Sequence, residues 1–308
     1  MNSGPDRLRL KSASSGVPDQ CGRTIVVTGA SGGIGEAAAR SLARAGARVI
    51  LAVRDLEKGR RIAATMTGKV EVRRLDLSHL SSVRDFAESL GTGIDVLVNN
   101  AGVMGAPFGK TADGFETHLG VNHLGPFALT GLLLPRIRDR VVIVSSHAHR
   151  YGRVRLDDLH FERGRYGASE AYAQSKLANL QFGFELHRRL SAAGSMLRVV
   201  AAHPGLARSN LLTNSQATWR LRITRLVQSC LGQSAECGAL PLLGAATADI
   251  ASGSYIGPGG WGELRGRPKI VESSAAARDS EAAGKLWAIS EALTGVRYGF
   301  EMLTGGRR

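Results

Sequence analysis

Seven short apolar runs divide the chain: Thr24–Thr28, Arg48–Val53, Val70–Leu75, Ile94–Val98, Val141–Val144, Leu197–Val200 and Ser254–Ile256. Rich in Val and Ile and mostly without polar alternation, they read as strands covered on both faces. Between them, apolar residues recur at helical spacing. Ala37, Ala38, Leu42 and Ala43 offer a small, close-packing face after the first run, and Val83 and Phe86 mark a helix before the fourth. A long helix carries Tyr172 and Lys176, Cys237–Ile250 forms another, and Leu286, Trp287, Ile289 and Leu293 lie on a last one. Strands alternating with helices at this pitch predict an α/β fold, a parallel sheet of about seven strands with helices on both faces, and ligands at the carboxyl ends of the strands.

The alternation fails at two places. Residues 1–20, rich in Ser, Gly, Pro and Asp, read as a flexible leader, so residues 21–308 form a single predicted domain. Residues 206–233 leave the strand–helix rhythm and read as a substrate lid over the cleft. Leu211, Leu212, Trp219 and Leu226 within it predict a lipophilic pocket. The mixed basic and apolar stretch Trp219–Val227 reads as a plain lid helix, with contact to a membrane surface or an acidic carrier protein as the second reading. Trp261, in the turn-rich crossing Gly257–Gly262, reads as a packing residue.

Composition narrows the classes. At 308 residues with 43% hydrophobic content the chain can bury a substantial core. No apolar run reaches the roughly 18 residues that mark a membrane span, and no signal-peptide pattern opens the chain, so the expected compartment is the cytoplasm. Three cysteines, Cys21, Cys230 and Cys237, make no disulfide framework and no zinc spacing, and His147 and His149 have no companion motif, so no metal is expected. The net charge of +14 comes from arginines scattered through every segment, and aromatics are only 5% of the chain. That distribution reads as a solvated basic surface with a few residues for an anionic cofactor, and argues against nucleic-acid binding.

The chemistry-bearing motifs fall at strand ends. Gly29-Ala30-Ser31-Gly32-Gly33-Ile34-Gly35 joins the first strand to a helix, so backbone and helix dipole can approach a pyrophosphate there, the arrangement of a doubly wound Rossmann-type sheet. About 20 residues on, where an acidic residue would hold the ribose hydroxyls of NAD, stand Val53 and Arg54, and an arginine there suits a 2′-phosphate. NADP(H) is therefore expected over NAD(H), with Asp55 left to cap the next helix. Asp76-Leu77 ends the third strand beside the expected adenine, and Asn99-Asn100-Ala101-Gly102 closes the fourth. Tyr172 and Lys176, four residues apart on one helix, share a face, and a nearby ammonium would lower the phenol pKa.

Thr28-Gly29-x-x-x-Gly33-x-Gly35, Asn99-Asn100-Ala101-Gly102, Ser145-Ser146, Tyr172-x-x-x-Lys176 and His203-Pro204-Gly205 occur in this order from about residue 22 onward. With them the chain resembles the short-chain dehydrogenase/reductases. The interval containing Leu156-Asp157-Asp158-Leu159-His160-Phe161 and the run Tyr172–Asn179 resemble the retinol dehydrogenase and WW-domain oxidoreductase branch. The resemblance implies Asn122, Ser146, Tyr172 and Lys176 as catalytic residues. It implies cofactor contacts from Gly29, Ser31, Gly32, Gly33, Ile34, Gly35, Arg54, Asp76, Leu77, Asn99, Ala101, Gly102, Tyr172, Lys176, Pro204, Gly205 and Ser209. Tyr172 would exchange the proton of an alcohol or carbonyl oxygen and Ser146 would donate to that oxygen. Lys176 would lower the Tyr172 pKa and bind the nicotinamide ribose, and Asn122 would hold a water linking Lys176 to solvent. Two departures are an expected absence of the N-terminal membrane anchor common in animal retinol dehydrogenases, and Ser209 where many relatives carry Thr. The expected protein is an oxidoreductase for a small lipophilic alcohol and its carbonyl, with homo-oligomers common among relatives. The competing reading is a catalytically silent NADP(H)-sensing protein on the same fold.

Overall fold

The computed structural model describes residues 17–91, 93–206 and 233–300. Its centre is one eight-stranded sheet in the order β3-β2-β1-β4-β5-β6-β7-β8. The strands are β1 (Thr24–Thr28), β2 (Arg48–Val53), β3 (Lys69–Arg74), β4 (Ile94–Asn99), β5 (Ile137–Val144), β6 (Arg198–Ala202), β7 (Tyr255–Pro258) and β8 (Pro268–Ile270). The first seven run parallel and β8 pairs antiparallel with β7. The eighth strand adds to the expected seven. Three residues long and opening with a proline, it carries no period-two signal.

Successive strand residues face opposite layers. Ile25, Val27, Val49, Leu51, Val96, Val98, Val142 and Val200 pack with α1 (Gly33–Arg44) and the helix Ala235–Thr247. Val26, Ile50, Leu97, Val141, Ile143 and Val199 pack the other way, against α3 (Leu80–Ser89), α5 (Gly125–Leu133) and α6 (Ala168–Ala192). The C-terminal helix Ser280–Thr294 lays Trp287 on that layer, beside Phe127, Phe182 and Tyr298.

The strand order reverses between β1 and β4, where a doubly wound sheet leaves its crevice. Two helix starts shape the surroundings. Asp55 accepts a hydrogen bond from the Lys58 amide and caps α2 (Leu56–Ala63), as its sequence position implied. Glu116 caps α4 (Thr117–Leu119) from the amides of His118 and Leu119. A π-turn, Gly120–Leu124, then joins α4 to α5.

Two readings change, and the lid stays untested. The leader, assigned through residue 20, ends earlier: Val17 packs on the core and the buried Gln20 donates its amide to Ala45. Residues 1–16, and the lid and amphipathic stretch between Leu206 and Gln233, lie outside the described residues. Trp261 does not pack; it is 89% exposed.

β5 begins four residues before its expected start, and the extension carries a charge into the core. Arg140 is 2% exposed, bonds Asp139, and donates to the carbonyls of Ala245 and Ala248 at the end of the helix Ala235–Thr247. It thereby closes a helix C-terminus with a cation. Arg140→Met leaves those carbonyls unpaired and is expected to cost roughly 2–4 kcal/mol of unfolding free energy. Urea denaturation at pH 7 measures the loss.

Candidate active site

At the carboxyl edge between β1 and β4 lies a cavity of about 400 Å³ lined by Gly29, Ser31–Gly35, Arg54, Lys58, Asp76, Leu77 and Asn100–Val103, among others. Glycine is required at its floor. Gly29 has φ +67° and a Cβ there would lie 2.8 Å from the Ala101 Cα; at Gly35 it would lie 2.4 Å from the Asn100 Nδ2. Helix α1 opens here with Gly32 at its cap and no side-chain hydrogen bond to its first turn, so its amides face the cavity's space. Thr28 locks the opposite wall: its Oγ1 accepts from the amides of Asn100 and Ala101. Arg54 and Lys58 line the far end, and neither forms an ion pair among the described residues.

The sequence-derived cofactor residues divide accordingly. Gly29, Ser31, Gly32, Gly33, Ile34, Gly35, Arg54, Asp76, Leu77, Ala101 and Gly102 line the cavity. Asn99 does not: its side chain turns into the core and donates to Thr130 Oγ1 at 2.8 Å, while Asn100, its neighbour on the other pleat, takes the lining position. One oxygen of Asp76 is engaged by Ser78 through its amide and hydroxyl. Burial opposes charge on Asp76, but those bonds, with His79 and Arg54 nearby, hold its carboxyl below the ordinary value. Pro204 and Gly205 follow β6 at the same edge, where Gly205 has φ +68° and a Cβ would strike the Leu264 carbonyl at 2.5 Å. Ser209 lies outside the described residues.

The residues expected to do chemistry meet where α6 crosses β5. Ser145 Oγ donates to the Lys176 carbonyl and Asn179 Nδ2 to the Val144 carbonyl, pinning the helix to the strand end. Lys176 is 4% exposed and its Nζ donates to Val144 at 3.3 Å. The Asn122 side chain accepts from the Val103 amide and donates to the Val103 carbonyl and to Ser175 Oγ, each at 2.7–2.9 Å. A Cβ on Gly102 would sit 3.1 Å from Asn122 Oδ1 and 3.4 Å from Lys176 Nζ, so the three converge on one point at the cavity's edge. Ser146 heads the 3-10 turn His147–Tyr151, its Oγ accepting from the Ala148 amide.

The electrostatics differ from the sequence expectation at Tyr172. Burial raises its pKa above the ordinary phenol value, and the nearby Ser146 hydroxyl only tempers that rise. Lys176 is not the governing influence. Its Nζ lies 5.7 Å from the phenol ring centre, and burial depresses its own pKa to about 8. A buried ammonium without a carboxylate partner is itself disfavoured, which weakens it as a fixed charge.

Sequence reasoning missed Asn100, Lys58, Ser175 and the buried pair Glu116 and His118. The available signal for the last was a Glu and a His two residues apart just before Val121-Asn122.

The short chain dehydrogenase family model matches residues 23–219. This chain belongs to the short-chain dehydrogenase family. Retinol dehydrogenase 12 of Homo sapiens is 42% identical over 295 residues, covering 90% of this chain and 88% of that protein. Polyprenol dehydrogenase of Mus musculus is 40% identical over 310 residues, covering 95% and 90%. Among solved structures, an uncharacterized protein from Mycobacterium paratuberculosis aligns with TM-score 0.82 and 49% identity over 93% of this chain and 98% of that one. A Shigella flexneri short chain dehydrogenase complexed with NADP aligns with TM-score 0.56 and 25% identity over 76% and 96%.

This short-chain dehydrogenase is thus an alcohol/carbonyl oxidoreductase of the retinol dehydrogenase type that uses a nicotinamide cofactor. The glycine floor, the uncapped amides of α1 and the cavity above them fit such a dinucleotide. Among the described residues, no helix is long and apolar enough to cross a membrane.

The depressed Lys176 pKa makes a stability statement. Below pH 8 the folded protein carries a disfavoured buried ammonium, and that penalty disappears between pH 8 and the ordinary lysine value of 10.5 because the unfolded chain there binds more protons. Lys176→Met is expected to raise the melting temperature at pH 7 by a few degrees and to lose this advantage as pH approaches 10. Paired thermal melts across that range are the check.

Proposed function

We propose that this enzyme interconverts a lipophilic alcohol and its ketone or aldehyde using NADP(H), with Tyr172 as general acid and base. The observation that carries the reading is the convergence of Asn122, Lys176 and Gly102 at the end of a nucleotide-sized cleft, with Tyr172 and Ser146 beside them. Bound there, a nicotinamide supplies or accepts hydride. Ser146 Oγ already accepts the Ala148 amide, which leaves its proton to donate to the substrate oxygen. Burial keeps Tyr172 in the phenol form, the form needed to protonate a developing alkoxide. In oxidation the same burial opposes the phenolate, and the Lys176 ammonium, present at neutral pH with a pKa of about 8, offsets part of that cost. Both donors of the Asn122 amide are spent on Val103 and Ser175. A water linking Lys176 to solvent would therefore be held by the remaining Oδ1 lone pair or by the main-chain carbonyl of Asn122.

Arg54 and Lys58 support NADP(H). Both are exposed at the adenosine end of the cleft, while Asp55 between them is committed to capping α2. A 2′-phosphate would meet two cations there. The Shigella relative is complexed with NADP. Retinol and polyprenol, the alcohols in two relatives' names, support a lipophilic substrate.

Two variants test the reading on a panel of aldehydes and ketones that includes all-trans-retinal. Tyr172→Phe is expected to lower kcat by about 10²–10⁴-fold while NADPH still binds, followed by cofactor fluorescence; retained turnover removes the assignment. Arg54→Ala is expected to reduce the NADPH-over-NADH preference in kcat/KM roughly tenfold to a hundredfold, and an unchanged ratio would assign the discrimination elsewhere.

A further inference from the structure

Behind Tyr172 lies a buried polar cluster that the proposed mechanism does not use. Glu116 and His118 are both 0% exposed. Glu116 accepts four hydrogen bonds, from the amides of His118 and Leu119, from His118 Nδ1 and from the Tyr166 hydroxyl, at 2.7–2.9 Å. Burial opposes its charge, but these donors hold its carboxyl below the ordinary value, so it stays ionised. Capping α4 requires only the two amides. The imidazole and the phenol are additional, and burying a carboxylate among them is costly unless the geometry it fixes is used.

The histidine has a defined tautomer. Its Nε2 accepts from the Ala106 amide at 3.3 Å, which places the proton on Nδ1, where it donates to Glu116. The ring is thereby clamped at both nitrogens, and it meets the Tyr172 ring in a T-shaped contact, 6.2 Å between centres and 72° between planes. Four residues on, Asn122 holds Val103 of the same loop and reaches Ser175 on α6. His118 and Asn122 thus face Tyr172 and Ser175 as a matched pair, and both bind the Val103–Ala106 loop.

We propose that His118 is a positioning residue for Tyr172, fixed by Glu116 and Tyr166 so that its T-shaped ring contact sets the phenol's orientation. The inference rests on the reading of Tyr172 as the acid and base. The groups facing Tyr172 are Lys176 on its own helix, Ser146 at the end of β5, His118 with Glu116 behind it, and Tyr255 on β7. Of these, His118 supplies an aromatic ring that an amide side chain can remove without emptying the hydrogen-bond position.

His118→Asn makes that replacement: its amide nitrogen falls near the Nδ1 position and keeps a donor for Glu116, while the ring is lost. With NADPH and the carbonyl turned over fastest in the panel above, kcat is expected to fall roughly tenfold to a hundredfold, as for a reacting group displaced by about 1 Å. KM for NADPH should change less than about twofold, since the substitution leaves the cleft intact. Water entering beside the phenol should relieve its burial, so its titration moves to lower pH. Tyrosine ring-carbon NMR reads that shift without substrate: the chain has 5 tyrosines, and the resonance lost in Tyr172→Phe identifies the phenol. Tyr166→Phe, which loosens the clamp without touching Tyr172, should shift both readouts in the same direction by less. Wild-type kcat and an unmoved Tyr172 titration in His118→Asn would overturn the proposal, as would activity lost only in proportion to unfolded protein. Turnover retained in Tyr172→Phe would sink the reading of the site itself, whereas an inactive Tyr172→Phe beside a fully active His118→Asn would sink this inference alone.

Discussion

The site depends on the rotation of one helix against the end of one strand. A helix turns about 100° per residue, so a slip of a single position would carry Tyr172 and Lys176 away from the cleft. Three bonds prevent it: Ser145 Oγ to the Lys176 carbonyl, Lys176 Nζ to the Val144 carbonyl and Asn179 Nδ2 to the same oxygen. All three originate in residues at the carboxyl end of β5 or within one helical turn of Lys176. The approach is close enough that the chain leaving Ser146 passes α6 at Gly152, where a Cβ would lie 2.4 Å from the Ala173 carbonyl. The pair Ser145-Ser146 therefore divides its labour. The first hydroxyl fixes the helix and the second stays beside the phenol.

The nucleotide end is built differently, from main chain. Thr28 gathers the β4 loop by accepting two amides, and Gly29 and Gly35 let that loop and α1 approach at backbone distance. Gly102 connects this end to the cluster around α6, since it belongs to the cleft lining and also borders Asn122 and Lys176. The π-turn at Gly120–Leu124 serves the same junction. Its wider turn presents Asn122 to Val103 and Ser175, and Gly125 at its end passes where a Cβ would lie 2.6 Å from the Leu77 carbonyl. A shift at either glycine would move the cleft lining and the Asn122–Lys176 cluster together.

The sheet and the glycine turn were legible in the sequence because each rests on a local rule. Buried parallel strands read as apolar runs, and a strand–glycine–helix junction has few other uses. The cap at Asp55 was legible for the same reason. What escaped was set by long-range packing. Asn99 and Asn100 are indistinguishable in sequence, and only the strand's pleat sends one to Thr130 and the other to the cleft. The charged start of β5 hid the strand's first four residues because Arg140 finds its partners 105 and 108 residues away. The direction of the Tyr172 shift was misread for a related reason. A helix with Tyr and Lys four residues apart announces their proximity, whereas the burial of both groups comes from elements elsewhere in the chain.

That burial gives the site a simple charge state. His203 is depressed to about 3 and His149 to about 4, in each case chiefly by burial, so neither is protonated near neutral pH. His149 donates from Nδ1 to the Ser146 carbonyl and accepts the Ser274 amide, a neutral strut for the serine. His203 accepts the Gly205 amide at Nδ1 and donates to Glu263 from Nε2, a neutral strut for the turn after β6. Among the described residues, two buried charges lie near the phenol, the Lys176 ammonium and, behind His118, the Glu116 carboxylate. One lies on the phenol's own helix and the other behind an intervening imidazole. Neither charge outweighs burial, which, tempered by the Ser146 hydroxyl, raises the Tyr172 pKa.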